Sequence, residues 1–158
     1  MSDISPLLLS RVLGQEHGPT PQQADIIGEE PGPLLVVAGA GAGKTETMAS
    51  RVVWLMANGF ATPDQVLGLT FTRKATQQLG RRIRQRLQTL AGTPKVRDQD
   101  PSGKLADQLV NQAPTVSTYD SFAGQLIREY GLLVPVEPTA RIITEAERYA
   151  IAHEVVTN

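Results

Sequence analysis

Cysteine is absent from the 158 residues, and aromatic residues make up only 4% of them. The absence of cysteine excludes disulfide bonds and thiolate metal sites within this chain. Basic and acidic residues nearly balance, at 15 and 16, so any nucleic-acid site has to be a local basic patch. No apolar run reaches the roughly 20 residues of a membrane span, and no basic segment typical of a signal peptide precedes the first apolar residues. We therefore expect a cytoplasmic protein that does not contact a membrane.

The most informative segment is glycine-rich and lies between an apolar run, residues 33–37, and a helical pattern that starts at Glu46. It consists of Ala38, Gly39, Ala40, Gly41, Ala42, Gly43, Lys44 and Thr45. Such a segment presents main-chain N–H groups at a helix N-terminus, where small residues let phosphate oxygens approach closely. We interpret it as a P-loop in which Lys44 reaches the β- and γ-phosphates and Thr45 holds Mg²⁺. The alternative is a glycine-rich turn that binds nothing.

The pattern of apolar residues predicts an α/β fold. Continuous apolar runs predict strands over residues 34–37, 66–72 and 114–119, each followed by an amphipathic helix. Connections of twenty residues or more between these strands indicate a parallel sheet with flanking helices. Residues 92–103, which are rich in glycine, proline and charge, are predicted to form a surface loop. Before the P-loop, Thr20 and Pro21 predict the start of a short helix.

Two of the few aromatic residues, Phe71 and Tyr119, each lie near the carboxyl end of a predicted strand, on the sheet edge that also bears the P-loop. There their rings can stack on nucleobases, or they can pack beneath the helix that follows. The arginines between residues 81 and 86 do not form one band on their helix, so a solvated face is favoured over a DNA track.

A P-loop NTPase also needs a carboxylate that holds Mg²⁺ through water, and the sequence has no apolar strand followed by an acidic pair. Either Asp120, after the third predicted strand, supplies this carboxylate, or it lies in sequence outside this chain. The first alternative corresponds to a small P-loop kinase or phosphotransferase. A nucleic-acid-binding module without catalysis is a further possibility.

Taken in order, these segments resemble the N-terminal part of superfamily 1A DNA helicases of the UvrD, Rep and PcrA type, and of their helicase-nuclease relatives. Residues 20–23 resemble the Q motif of that family, which implies that Gln23 binds the adenine edge of ATP. Residues 38–45 match the family's motif I. The ATP contacts implied by the resemblance extend to Glu46, which stands where an arginine is common.

Two later segments resemble DNA-contacting motifs of the same family. Residues 69–75 are similar to motif Ia, with an arginine in place of the usual asparagine. Residues 117–122 are similar to a Thr-Phe-His-Ser-Phe motif, with Asp120 in place of the histidine, and a carboxylate repels phosphate. The resemblance implies contacts to single-stranded DNA from Phe71, Thr72, Arg73, Lys74, Thr118, Tyr119 and Ser121.

The resemblance also implies an architecture and an activity. Residues 1–124 would form the N-terminal part of a RecA-like ATP-binding domain 1A, and residues 125–158 the beginning of a helical subdomain 1B. The family's Asp-Glu motif comes after residue 158, so we expect the remainder of a parent chain to complete the site. The implied cofactors are ATP and Mg²⁺, the implied partners are single-stranded DNA and a duplex junction, and the implied activity is ATP-driven 3′ to 5′ translocation in DNA repair. We expect this chain alone to bind nucleotide weakly and to hydrolyse almost none.

Overall fold

The computed structural model describes residues 4–133, 141 and 143–157, and helices predominate in it. In chain order its helices and strands are α1 (Pro6–Val12), α2 (Pro21–Gly28), α3 (Lys44–Ala57), β1 (Leu67–Thr70), α4 (Arg73–Ala91), α5 (Pro94–Gln99), α6 (Lys104–Asn111), β2 (Thr115–Thr118), α7 (Tyr119–Tyr130) and α8 (Glu145–Thr157). Short 3-10 turns occupy Pro63–Gln65 and Gly131–Leu133. None of the helices in the described part of the chain is long and apolar enough to span a membrane.

The chain divides into two compact units, residues 1–119 and residues 120–158. In the first unit β1 and β2 form a parallel pair, with Leu67 opposite Thr115 and Thr70 opposite Thr118. The connection between these strands passes through α4, α5 and α6, and α4 packs on both strands. The second and third predicted strands, and their parallel direction, are therefore confirmed.

The first predicted strand, residues 34–37, does not form in the described part of the chain. Its residues follow Pro33 without a ladder partner, and the side chains of Leu35 and Val37 are 89% and 88% exposed. A β-strand forms where its backbone hydrogen-bonds to a neighbouring strand. In the described sheet β1 and β2 bond to each other, and residues 34–37 pair with neither. The apolar pattern was therefore not sufficient to predict a buried strand here.

The core of the first unit lies between α3, α4 and α6. The apolar stripe of α4 buries Leu79, Ile83, Leu87 and Leu90, as its helical spacing predicts. Val53 of α3 is fully buried against this stripe. The adjacent Trp54 is also buried, and its indole N–H donates to the carbonyl oxygen of Ile4 at 2.5 Å, which holds the start of α1 against α3. This core supports α3, the helix that follows the P-loop.

The predicted surface loop over residues 92–103 contains a helix, α5. Pro94 occupies the first turn of α5, where its missing N–H has no cost, and Val96 is buried in the core. One buried valine between polar residues gives no periodic signal, so the sequence could not predict this helix.

In the second unit, α8 begins after a capping box. The hydroxyl of Thr144 accepts a hydrogen bond from the main-chain N–H of Glu147, whose carboxylate accepts from the N–H of Thr144 at 2.8 Å. The main-chain bond from Thr144 is the chief cause that lowers the pKa of Glu147. The subdomain boundary between residues 124 and 125 stays a prediction.

Candidate nucleotide and DNA site

The glycine-rich segment folds as a turn that leads directly into α3. Gly41 and Gly43 both have a backbone φ of +77°, a left-handed conformation that residues with a Cβ atom rarely adopt. Gly43 is the N-cap residue of α3, so the helix begins at Lys44. No described residue other than glycine has a positive φ, so Ala38 needs only a small side chain at its position.

The ammonium group of Lys44 lies across the glycine-rich turn. Its Nζ atom donates to the carbonyl oxygens of Ala38 at 2.9 Å and of Gly39 at 2.6 Å. Lys44 and Thr45 are both exposed in the first turn of α3, where the main-chain N–H groups have no partner four residues earlier. The loop therefore brings a flexible cation, a hydroxyl and helical N–H donors to one surface.

Gln23 is held beside the loop by two main-chain groups. Its Oε1 atom accepts from the N–H of Thr20 at 3.0 Å, and Thr20 in turn caps α2, so the predicted start of this helix is confirmed. Its Nε2 atom donates to the carbonyl oxygen of Ala42 at 3.2 Å. A side-chain amide has two donor hydrogens and two acceptor lone pairs. One of each therefore remains for a ligand, in a fixed orientation.

Two cavities lie beside this arrangement. The larger, of about 350 Å³, is lined mainly by apolar side chains that include Ile26, Val36 and Met48. The smaller, of about 180 Å³, has mixed polar and apolar walls, lined by Gln15, His17, Gly18, Gln23, Glu46 and Ser50 among others. Gln23 lines both cavities, and Lys44 lines the larger one, so each cavity offers hydrogen-bonding groups beside the glycine-rich loop.

Glu46, one residue after Thr45, is bound by two arginines of α4. Its carboxylate accepts from Arg82 at 2.9 Å and forms an ion pair with Arg86. Arg86 is only 14% exposed, and it also donates to the Ser50 hydroxyl at 2.9 Å. Burial lowers the pKa of Arg86 from its ordinary value. The prediction of a solvated arginine face was therefore wrong for Arg86, whose partners are on another helix, whereas Arg82 is exposed as predicted.

Arg51 of α3 closes the carboxyl end of α2. Its guanidinium donates to the carbonyl oxygens of Ile26 at 2.8 Å, Glu29 at 2.9 Å and Glu30 at 3.3 Å. These carbonyls lie at a helix end, where they have no partner within the helix. This clamp on the helix that carries Gln23 was not predicted from the sequence.

The carboxyl ends of β1 and β2 bring two aromatic rings together. The ring centroids of Phe71 and Tyr119 are 5.1 Å apart, with an angle of 34° between the ring planes. Phe71 is 89% exposed and Tyr119 50% exposed, so neither ring is packed beneath a helix. Of the two alternatives left open by the sequence, an exposed aromatic surface is the one observed.

The other predicted DNA-contacting residues differ in their surroundings. Arg73 and Lys74 are exposed in the first turn of α4, and Thr72 caps this helix by accepting from the N–H of Ala75 at 3.2 Å. Thr118 is buried at the end of β2, which withdraws its side chain from the surface. Ser121 belongs to the second unit, as does Asp120.

Within residues 4–133, 141 and 143–157, no group of three or more acidic or histidine side chains is arranged to bind a metal ion. The hydroxyl of Thr45 is the metal ligand predicted from the sequence, and its exposure beside the loop fits that role. Mg²⁺ in proteins is commonly bound by one or two protein oxygens together with substrate phosphates and water. A single hydroxyl ligand is therefore compatible with a metal that arrives with a phosphate ligand.

Comparison with known proteins adds a family-level result. Residues 19–158 match the model of the UvrD/REP helicase N-terminal domain. The chain is 34% identical over 138 residues, 86% of its length, to an ATP-dependent helicase/nuclease subunit of Streptococcus thermophilus, and covers 11% of that protein. It is 48% identical to DNA helicase IV of Escherichia coli over 69 residues, and these residues make up 44% of this chain and 10% of the relative. A probable DNA helicase II homolog of Rickettsia felis is 39% identical over 67 residues, or 42% of this chain and 10% of the relative. The chain thus spans about a tenth of the length of these curated relatives.

Proposed function

The chain belongs to the UvrD/REP helicase N-terminal domain family, and we propose from this premise that it is the ATP- and single-stranded-DNA-binding part of a DNA helicase. The parent protein would couple ATP hydrolysis to 3′ to 5′ translocation along one strand, in DNA repair or recombination. The fold would be that of a RecA-like P-loop NTPase domain. The observation that carries the proposal is the Gln23 amide, held against the glycine-rich loop that begins α3.

The nucleotide would bind across the loop with its base next to the amide of Gln23, which lines both cavities. Gln23 retains one N–H and one lone pair, and adenine presents an acceptor beside an amino donor on one edge. Two bonds from one fixed amide would therefore recognise adenine. Lys44 would exchange its bonds to the loop carbonyls for phosphate oxygens, since a bond between charged partners is stronger than one to a neutral carbonyl.

Mg²⁺, when bound, would neutralise charge on the phosphates, and Thr45 is the residue of this chain proposed to hold it. The chain itself would bind the triphosphate, orient the base and stabilise phosphate charge through Lys44 and the N–H groups of the loop. We propose that the carboxylates for water activation come from the remainder of the parent protein, so the chain alone would hydrolyse almost no ATP.

Single-stranded DNA would bind at the sheet edge marked by Phe71 and Tyr119. Exposed rings offer stacking surfaces to bases of any sequence. Arg73 and Lys74, just after β1, would bind the phosphates beside those bases, with Thr72 nearby. Contacts from Thr118 and Ser121 stay predictions of the family resemblance.

A small kinase with Asp120 as its metal ligand is less well supported. The family match extends over residues 19–158, which includes the Gln23 and Phe71–Lys74 segments that a kinase leaves without a role.

Titration with a fluorescent ATP analogue in the presence of Mg²⁺ tests the nucleotide site. Lys44→Ala is expected to weaken binding at least tenfold, because one charge-assisted contact contributes about 1.5–3 kcal/mol. Lys104→Ala is a matched control, since Lys104 is also exposed, begins a helix and follows a glycine with positive φ. Unchanged affinity in Lys44→Ala, or equal losses in both variants, would contradict the proposal.

A further inference from the structure

We propose that Glu46 is a positioning residue that couples the nucleotide site to the DNA site through its ion pairs with Arg82 and Arg86. The proposal rests on the proposed function. It assigns a role to a carboxylate that the phosphate-binding loop by itself does not require.

Glu46 contacts both the nucleotide site and α4, the helix whose first turn carries Arg73 and Lys74. On one side it lines the 180 Å³ cavity together with Gln23. On the other side its two carboxylate oxygens bind different arginines of α4, Oε2 to Arg82 and Oε1 to Arg86. A ligand that displaces this carboxylate therefore has to change its contacts with α4.

Arg86 adds a second connection between α4 and the same cavity. Gln15 also lines the cavity, and in the amide orientation that turns its oxygen toward Arg86, that oxygen accepts from Nη2 at 2.8 Å. Arg86 Nη1 donates to the main-chain oxygen of Glu46 at 3.4 Å and to Ser50. One largely buried guanidinium thus joins three residues of the cavity wall.

The other end of α4 carries the DNA-facing residues. Arg73 and Lys74 lie in its first turn, and Thr72 caps it. With a rise of about 1.5 Å per residue, Arg82 and Arg86 lie roughly 13 and 20 Å along the axis from Arg73. The described helix is continuous from Arg73 to Ala91, so a shift at the arginines moves the first turn as well.

Charge explains why the pairs are needed. An unpaired carboxylate next to Thr45 would repel a triphosphate, and two guanidinium groups offset its charge. Loss of either arginine therefore makes the net charge around Glu46 more negative and weakens nucleotide binding. Loss of the Glu46 charge removes that repulsion and also releases α4.

The experiment measures a coupling factor in the intact protein. The affinity for fluorescent oligothymidylate is determined by anisotropy with and without a saturating non-hydrolysable ATP analogue and Mg²⁺. The ratio of the two dissociation constants is the coupling factor, for which we expect a departure of at least fivefold from one in the wild type.

Glu46→Gln keeps the shape of the side chain and removes its charge, and we expect its coupling factor to lie within twofold of one. Arg82→Gln is expected to bring the coupling factor at least threefold closer to one and to weaken nucleotide binding. Arg84→Gln is the matched control, because it removes a charge from the same helix without a contact to Glu46 and should keep the wild-type factor. Thermal melts verify that each variant is folded.

The outcomes separate this inference from the proposed function. A wild type that binds neither ligand would refute the proposed function, and with it this role for Glu46. A wild type that binds both ligands without coupling, or a Glu46→Gln variant that keeps the full coupling factor, would overturn the inference alone.

Discussion

The rings of Phe71 and Tyr119 lie 5.1 Å apart at the carboxyl ends of two different strands. The parallel register brings the rings together, because Thr70 pairs with Thr118. Phe71 directly follows Thr70, and Tyr119 directly follows Thr118. Both rings are exposed, which costs free energy in water unless a partner covers them. Their position fits a surface on which bases stack.

We expect Phe71→Ala and Tyr119→Ala each to weaken binding of single-stranded DNA by about 5- to 100-fold, the range for loss of one base–aromatic stack. Fluorescence anisotropy with an oligothymidylate measures the effect. Tyr149→Ala, which removes an exposed ring from α8, should bind DNA as the wild type does. If Tyr149→Ala loses as much affinity as the two other variants, the sheet edge is not the stacking surface.

Arg73→Gln and Lys74→Gln should act through charge. Each neutralised phosphate contact contributes about 0.7 to the slope of log affinity against log salt for a single strand. We therefore expect each variant to lower the magnitude of that slope by about this amount, whereas Phe71→Ala leaves it unchanged. Arg97→Gln on α5 is the control for an exposed arginine elsewhere. Slopes that do not change in Arg73→Gln and Lys74→Gln would exclude phosphate contacts from these residues.

Gly41→Ala and Gly43→Ala form a matched pair, because both glycines have a φ of +77°. Both variants should lose about 1 kcal/mol of folding free energy from the left-handed backbone. A Cβ atom on Gly43 would also lie 3.0 Å from Nε2 of Gln23, while one on Gly41 meets no atom within 4 Å. We expect Gly43→Ala alone to lose preference for ATP over other nucleoside triphosphates, measured by competition titration. If both variants show the same preference for ATP over other nucleoside triphosphates, Gln23 does not recognise the base.

Arg51→Met should loosen α2 while it keeps most of the aliphatic packing. The substitution leaves the carbonyls at the end of α2 without their charged donor, which costs roughly 2 kcal/mol. We expect the melting temperature to fall by about 5 °C or more, together with the affinity for ATP, because α2 carries Gln23. Arg11→Met on α1, a helix without this clamp, should change neither. A destabilised variant with unchanged ATP affinity would separate the clamp from nucleotide binding.

Patterns within a few residues were sufficient for the local parts of this molecule. The glycines before Lys44 predicted the turn and the helix start, since left-handed geometry and capping depend on adjacent residues. Thr20 and Pro21 predicted the start of α2 for the same reason. The strands that end at Thr70 and Thr118 were also predicted, although Leu34–Val37 has the same apolar character and no ladder partner in the described part of the chain.

By itself the sequence determined a phosphate-binding type of loop, the helices with periodic apolar faces, and membership in a helicase family. Only the tertiary structure decided that Glu46 binds Arg82 and Arg86, that Arg51 closes α2, and that Phe71 and Tyr119 share one surface. The physical reason is the range of the interactions. Turns, caps and helical stripes arise between neighbours in the chain, whereas ion pairs and ring contacts join residues far apart in it, which only the packing of helices and strands brings within a few ångströms.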